Sequence, residues 1–206
     1  MLVSIILVIK NEANQIHKCI ETLLNQSHKE FEIIVLDDQS TDNTIEIIKS
    51  FKSNKIKIFS THKKNIIGHA NRRNYALTKA NGEFIFFTDG DCSAHYNWLK
   101  EGLKIFKHKN CLGVEGKTIY EAKKGITVGD YVTQRYTPGG FMTCNVAYRK
   151  SAIIDVGKFD PKFKNTYEDR DLGIKILKKG EILFEDNMLI FHQQKKVTIK
   201  TLFKRA

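Results

Sequence analysis

Two aspartates one glycine apart close an apolar run in "EFIFFTDGDC", Glu83 to Cys92. Carboxylates this close repel one another, and a bound cation relieves the repulsion. Hard carboxylate oxygens suit Mg²⁺ or Mn²⁺, ions that keep open positions for diphosphate oxygens. Gly90 lets the backbone between Asp89 and Asp91 turn sharply and approach a ligand closely. The competing reading is a solvated strand-end turn, for which Asp and Gly are ordinary residues. Asn11/Glu12 and Asp37/Asp38 also follow apolar runs.

Placing these groups requires strands. "LVSIILVI" and "FEIIVLD" (Phe31 to Asp37) are continuous apolar, β-branched runs of the kind buried on both faces. Each precedes a helical pattern. In the first, Ile16, Cys19, Ile20, Leu23 and Leu24 share a face; in the second, Ile45, Ile48 and Phe51 do, after the turn and cap residues of "DDQSTDN". Asp42 reads as one of those cap residues. "KIKIF" predicts a third strand, "HANRRNYALTKA" a helix closed by Asn81 and Gly82, and "EFIFFTD" a fourth strand.

Strands alternating with helices predict an α/β fold, a mainly parallel sheet sandwiched by helices. Such sheets bind ligands beyond the carboxyl ends of their strands, so the three acidic clusters should line one crevice. Further on, "NWLKEGLKIF" predicts a helix and "CLGVEGKTIY" and "TCNVAYRK" (Thr143 to Lys150) strands. "YEDRDLGIKILKKG" predicts a helix, acidic at its start and closed by Gly180, and "EILF" a short last strand. Trp98, the only tryptophan, is expected in the core.

With 206 residues, 41% of them hydrophobic, the chain fits one globular domain. No apolar run approaches the ~20 residues of a membrane span, and no basic segment precedes the first one as in a signal peptide, so a cytoplasmic protein is expected. Cys19, Cys92, Cys111 and Cys144 have no CxxC spacing and read as reduced thiols. A net charge of +11 favours anionic partners. Residues 61–75 and 192–206 contain no acid, while acids gather at 37–46, 89–91 and 168–171. Acidic pockets in a basic protein suggest phosphate held through a metal, since bare carboxylates repel a polyanion; nucleic acid is not an expected partner.

Several segments together resemble glycosyltransferase family 2, inverting enzymes of the GT-A fold. These are "VSIILVIKNEANQIHKCIETLLNQSHKEFEIIVLDDQSTDNT", "RRNYAL", "FIFFTDGDC", "NVAYRKSAIIDVGKFD" and "YEDRDLGIKILKKGEILFEDNMLIFH". The match runs in register over about residues 2–192. The resemblance implies transfer of a sugar from a nucleoside diphosphate donor, UDP ahead of GDP or dTDP, to an acceptor hydroxyl on a glycan or a lipid-linked molecule, with Mn²⁺ or Mg²⁺ as cofactor. It implies nucleotide contacts from Glu12 and Asp38 with Asp37 nearby, Arg73 facing the phosphates, and Asp89 and Gly90 beside them. Asp89 and Asp91 match the family's Asp-x-Asp, with Asp91 the more direct metal ligand, and His192 falls where some relatives carry a further metal-binding histidine.

Asp169 matches the aspartate of the family's Glu-Asp pair, the expected catalytic base, with Glu168 beside it on the acceptor side. From the residues alone, "TYED" is also a Thr-x-x-acid capping box, in which Asp169 only satisfies helix-end amides. His192 after "MLIF" has a structural alternative too, and of the adjacent Arg72 and Arg73 one is expected to point into the crevice. Val8 and Lys10 fall in the nucleotide-facing stretch, but Val8, Ile9 and Lys10 stand where relatives often carry Pro, a small polar residue and Tyr. "TPGGFMTCN" reads as a mobile wall over sugar and acceptor, through Gly139, Gly140 and Asn145, or as an ordinary connector.

The tail "KKVTIKTLFKRA" sets Ile199, Leu202, Phe203 and Ala206 on one helical face, so residues 193–206 form a basic amphipathic segment after a domain of residues 1–192. It is expected to dock on the domain or to touch an anionic membrane peripherally, at the cytoplasmic face. The chain stops directly after it, and further sequence beyond is an expectation. Two rivals remain at this point. A sugar-nucleotide nucleotidyltransferase calls for a Gly-rich basic loop after the first strand, and "VIKNEANQ" has no glycine. A polyanion-binding module calls for metal-independent, salt-sensitive binding.

Overall fold

The computed structural model describes residues 1–61, 66–121, 138–163 and 166–193. Among them, the strands are β1 (Val3–Ile9), β2 (Phe31–Asp37), β3 (Ile56–Ser60), β4 (Phe84–Asp89), β5 (Cys92–Ala94), β6 (Cys111–Glu121), β7 (Val146–Arg149) and β8 (Glu181–Gln193). The helices are α1 (Ile16–Leu24), α2 (Thr44–Ser50), α3 (His69–Leu77), α4 (Trp98–Ile105), α5 (Lys150–Asp155) and α6 (Glu168–Leu177). One mixed sheet has the order β3-β2-β1-β4-β7-β6-β8-β5. β3, β2, β1 and β4 are parallel, β7 runs against both β4 and β6, β8 is parallel to β6, and β5 returns antiparallel on β8.

The unbroken apolar runs follow from burial on both faces. Along β1, Val3, Ile5, Leu7 and Ile9 enter one core with residues of α1 and α4, while Ile6 enters the other with residues of α3, α5 and α6. The period-two alternation of a strand is present but hidden, because both sides are apolar. Trp98 is fully buried, its ring edge-on to Phe86, and its indole N–H donates to Asn145. All four cysteines are buried free thiols.

Three elements differ from expectation. The third helix stops at Leu77, short of Asn81 and Gly82. Gly82 is needed for a close approach: a Cβ there would lie 2.4 Å from the Ser4 backbone nitrogen. β7 begins at Val146 rather than Thr143, since the preceding residues form a turn. β8 runs for 13 residues instead of ending with "EILF", because it pairs along the whole of β6 and then with β5. The segment 193–206 lies outside the described residues from position 194 onward. No helix among the described residues is long and apolar enough to cross a membrane.

Candidate active site

Parallel pairing places Ile9 opposite Asp37, Val8 opposite Asp89 and Asp37 opposite Ser60. The residues that follow these strands therefore emerge at one edge of the sheet. There they line a cavity of about 560 Å³ whose walls include Val8, Lys10, Glu12, Asp38, Arg72, Arg73, Asp89, Gly90 and Asp91. Asp38 is buried and receives the Thr61 hydroxyl at 3.1 Å, Arg72 Nη2 at 2.8 Å and Lys10 Nζ at 3.5 Å. Asp37 does not line the cavity. Its two carboxylate oxygens accept the Ser40 amide at 3.1 and 3.3 Å and hold the turn after β2. Asp42 also serves the backbone, accepting the amides of Ala13 and Thr44 at 3.1 Å each.

Both arginines of the adjacent pair reach the site, contrary to the expectation that only one would. Arg72 meets Asp38, and Arg73 forms a buried ion pair with Glu168. They leave the first turn of α3, whose N-cap Gly68 has φ 86° and ψ 153°, a region that essentially only glycine enters. His69, the first residue of that helix, also lines the cavity, and no motif or spacing marked it in advance. Burial, with Arg73 and Arg72 nearby, holds its imidazole below the usual range, opposed by Glu168 and Asp89.

Burial pushes the Asp89 carboxyl above the ordinary range; Arg73 and His192 oppose that shift, and Asp91 and Asp169 add to it. Gly90 serves packing more than chain reversal, since a Cβ there would stand 3.0 Å from the Ile9 side chain and 3.1 Å from that of Glu12. The length of β8 brings His192 to this edge, its Nε2 3.6 Å from Asp91 Oδ1. Ligand atoms of Asp91, Cys92 and His192 all lie within 4.8 Å of one another. One oxygen, one sulfur and one nitrogen at that separation fit a divalent cation.

A second cavity of about 430 Å³ adjoins the first, and His69 and Arg73 line both. Its other walls include Gly140, Met142, Tyr167, Glu168 and Asp169. The capping box is not formed: α6 starts from Tyr167 in a left-handed conformation (φ 70°) with no side-chain cap. Asp169 Oδ1 instead accepts the neighbouring Arg170 amide at 2.8 Å. Burial raises its carboxyl above the ordinary range, offset in part by the amides of Arg170 and Thr143 and by Arg73. Glu168 Oε2 is buried and has no hydrogen-bond partner among the described residues, a free acceptor on a residue that lines the second cavity.

The turn before β7 is fixed by a residue that sequence reasoning passed over. Glu115, buried in β6, accepts the Gly139 amide at 2.6 Å and the Phe141 amide at 2.7 Å. Gly139 thus serves the turn (φ 97°), and Gly140 alone of the pair lines a cavity. Asn145 was expected to face sugar or acceptor, and the structure corrects this. It is 1% exposed; its amide donates to the carbonyls of Lys117 and Met188, and its oxygen accepts Trp98 Nε1.

The family model described as glycosyl transferase family 2 matches residues 4–157. Among curated proteins, the chain is 31% identical over 193 residues to the poly(ribitol-phosphate) beta-N-acetylglucosaminyltransferase TarP of Staphylococcus aureus, covering 85% of this chain and 57% of that protein. The chain spans 15 to 57% of the length of such curated relatives. Among solved structures, S. aureus TarS 1-349 in complex with UDP-GlcNAc superposes with a TM-score of 0.76 at 21% identity, over 96% of this chain and 60% of that one. The mannosyltransferase PcManGT of Pyrobaculum calidifontis in complex with GDP-Man and Mn²⁺ gives the same TM-score at 18% identity, over 94% and 57%. These two likenesses establish the GT-A fold.

Proposed function

The chain belongs to glycosyltransferase family 2, and from that premise we propose that it transfers a sugar, with inversion, from a nucleoside diphosphate donor to an acceptor hydroxyl. The observation that carries this reading is the adjacency of two cavities, one walled by Glu12, Asp38, Asp89 and Asp91, the other holding Asp169, across Arg73 and His69. UDP is the donor nucleotide we favour, in keeping with the UDP-GlcNAc bound by a protein of the same fold. Glu12 and Asp38 are suited to donor hydroxyls and base edge. The acceptor is a glycan or lipid-linked hydroxyl, and residues 193–206 are the segment through which a membrane surface would be met.

Mn²⁺ or Mg²⁺ would be held by Asp91 and His192 with Asp89 close by, and when bound it would neutralise charge on the departing diphosphate. The chain's own residues carry the other half of the reaction. Asp169 would take the proton of the acceptor hydroxyl as that oxygen forms its bond to the anomeric carbon and the bond to the diphosphate breaks on the opposite face. Glu168, fixed by Arg73, has a free oxygen to orient a sugar or acceptor hydroxyl, and Gly140 and Met142 line the same cavity.

Calorimetry of UDP with and without Mn²⁺, on the wild type and on Asp91→Ala, tests the assignment. Wild type should bind UDP at least on the order of tenfold more tightly with Mn²⁺, and the variant should lose that increment. Equal, metal-independent affinity in both proteins overturns it.

A further inference from the structure

We propose that Cys92 is a third ligand of the cation site, through which thiophilic divalent ions such as Zn²⁺ compete with Mn²⁺ or Mg²⁺ for it; this rests on the metal-site reading above. β5 and β8 pair antiparallel with Cys92 directly opposite His192, which puts the two side chains on one face of the ribbon. Asp91 Oδ1 lies 3.9 Å from Cys92 Sγ and 3.6 Å from His192 Nε2. A tetrahedral ion with Zn–S near 2.3 Å and Zn–N and Zn–O near 2.1 Å has ligand edges of roughly 3.3 to 3.8 Å. The two edges from Asp91 need only a few tenths of an ångström of contraction, and the third, between Cys92 and His192, lies within 4.8 Å.

Cys92 is 3% exposed, and its thiol has no other polar partner among the contacts described for it. A hard ion such as Mg²⁺ or Mn²⁺ would bind Asp91 and His192 and leave this thiol protonated. With Zn²⁺ or Cd²⁺ the sulfur–metal bond forms as the thiol proton passes to buffer, with no change of oxidation state. Cys92 therefore adds affinity for thiophilic ions alone, and these displace Mn²⁺ from Asp91 and His192 where both are present.

Titrating the full chain with CdCl₂ while recording the ultraviolet cadmium–thiolate charge-transfer band is the test. The wild type should develop the band with one ion per chain, Cys92→Ser should lose it, and Cys144→Ser should keep it. Electron paramagnetic resonance should show that Cys92→Ser still binds Mn²⁺, with Cd²⁺ affinity reduced on the order of tenfold or more. Absence of the band in a wild type that binds Mn²⁺, or its persistence in Cys92→Ser, overturns the proposal and leaves the metal-site reading standing. A wild type that binds neither ion overturns both. Should Cys92→Ser misfold, His192→Gln with the thiol intact decides the matter: the band must weaken, and an unchanged band overturns the proposal.

Discussion

Asp169 is half-buried, and burial is the largest influence on its carboxyl, raising it above the ordinary value of 3.8. The sign of two effects follows. A base must be ionised to accept a proton, so transfer should fall away with decreasing pH at a higher pH than for an exposed carboxylate; a pH–rate profile of kcat checks this. The same burial opposes the charge in the folded state, so at neutral pH the ionised group subtracts from stability. Asp169→Asn should accordingly keep donor binding and have a thermal midpoint no lower than that of the wild type, while losing on the order of 10² to 10⁴ in turnover. Near-normal turnover removes Asp169 from the mechanism. That Asp89 and Asp91 close a buried strand is legible in the sequence, whereas the reach of Arg72 and His69 is not, because it depends on the phase at which α3 starts.

Between elements, a chain of contacts ties the turn before β7 to the helix that carries the acids. Glu115 of β6 holds Gly139 and Phe141 by their amides, and the Phe141 ring lies against Gly173 of α6, where a Cβ would come within 2.2 Å of the ring. Gly173→Ala tests this coupling. Helix propensity alone would favour alanine by about 1 kcal/mol, but the clash should reverse the sign to a net loss of about 1 to 3 kcal/mol. Because α6 must shift, Glu168 and Asp169 move with it, and kcat should fall as well. Denaturant midpoints and steady-state rates report the two effects separately; a stabilised, fully active variant argues against the coupling. Gly173 reads in the sequence as an unremarkable weak point of a helix, since its partner lies 32 positions away.

Across the whole molecule, the end of the sheet opposite the site is held by a polar node centred on Glu32. Its carboxylate accepts the Ser4 hydroxyl at 2.7 Å, the Asn81 amide at 2.6 Å and Lys57 Nζ at 2.7 Å, and Ser4 in turn accepts the Gly82 amide at 2.8 Å. β1, β2, β3 and the connection into β4 meet there. Burial pushes Glu32 up, but Lys57, Ser4 and Asn81 outweigh it and bring it from 4.5 down to about 2. A depressed carboxyl contributes stability that is present above its unfolded value and lost as pH falls through its folded one, here between about 4.5 and about 2. Glu32→Gln should lower stability at neutral pH by about 1 to 3 kcal/mol, flatten the acid limb of the stability curve, and leave UDP affinity unchanged. A variant with the wild-type acid limb would show that the node contributes nothing.

The sequence by itself determined that strands alternate with helices, that their carboxyl ends bear Glu12, Asp38, Asp89 and Asp91, and that these ends share one edge. Hydrophobic period and the direction of parallel crossovers are local properties, and they suffice for that much. It did not determine that Asn145 turns inward to clamp Trp98 and β8, that Asp37 is taken up by its own turn, or that β8 runs on until His192 stands beside Asp91 and Cys92. The first and third of those outcomes depend on which donors and acceptors lie within about 3 to 4 Å across the sheet, distances set by strand order and register, and the second on the conformation of the turn after β2.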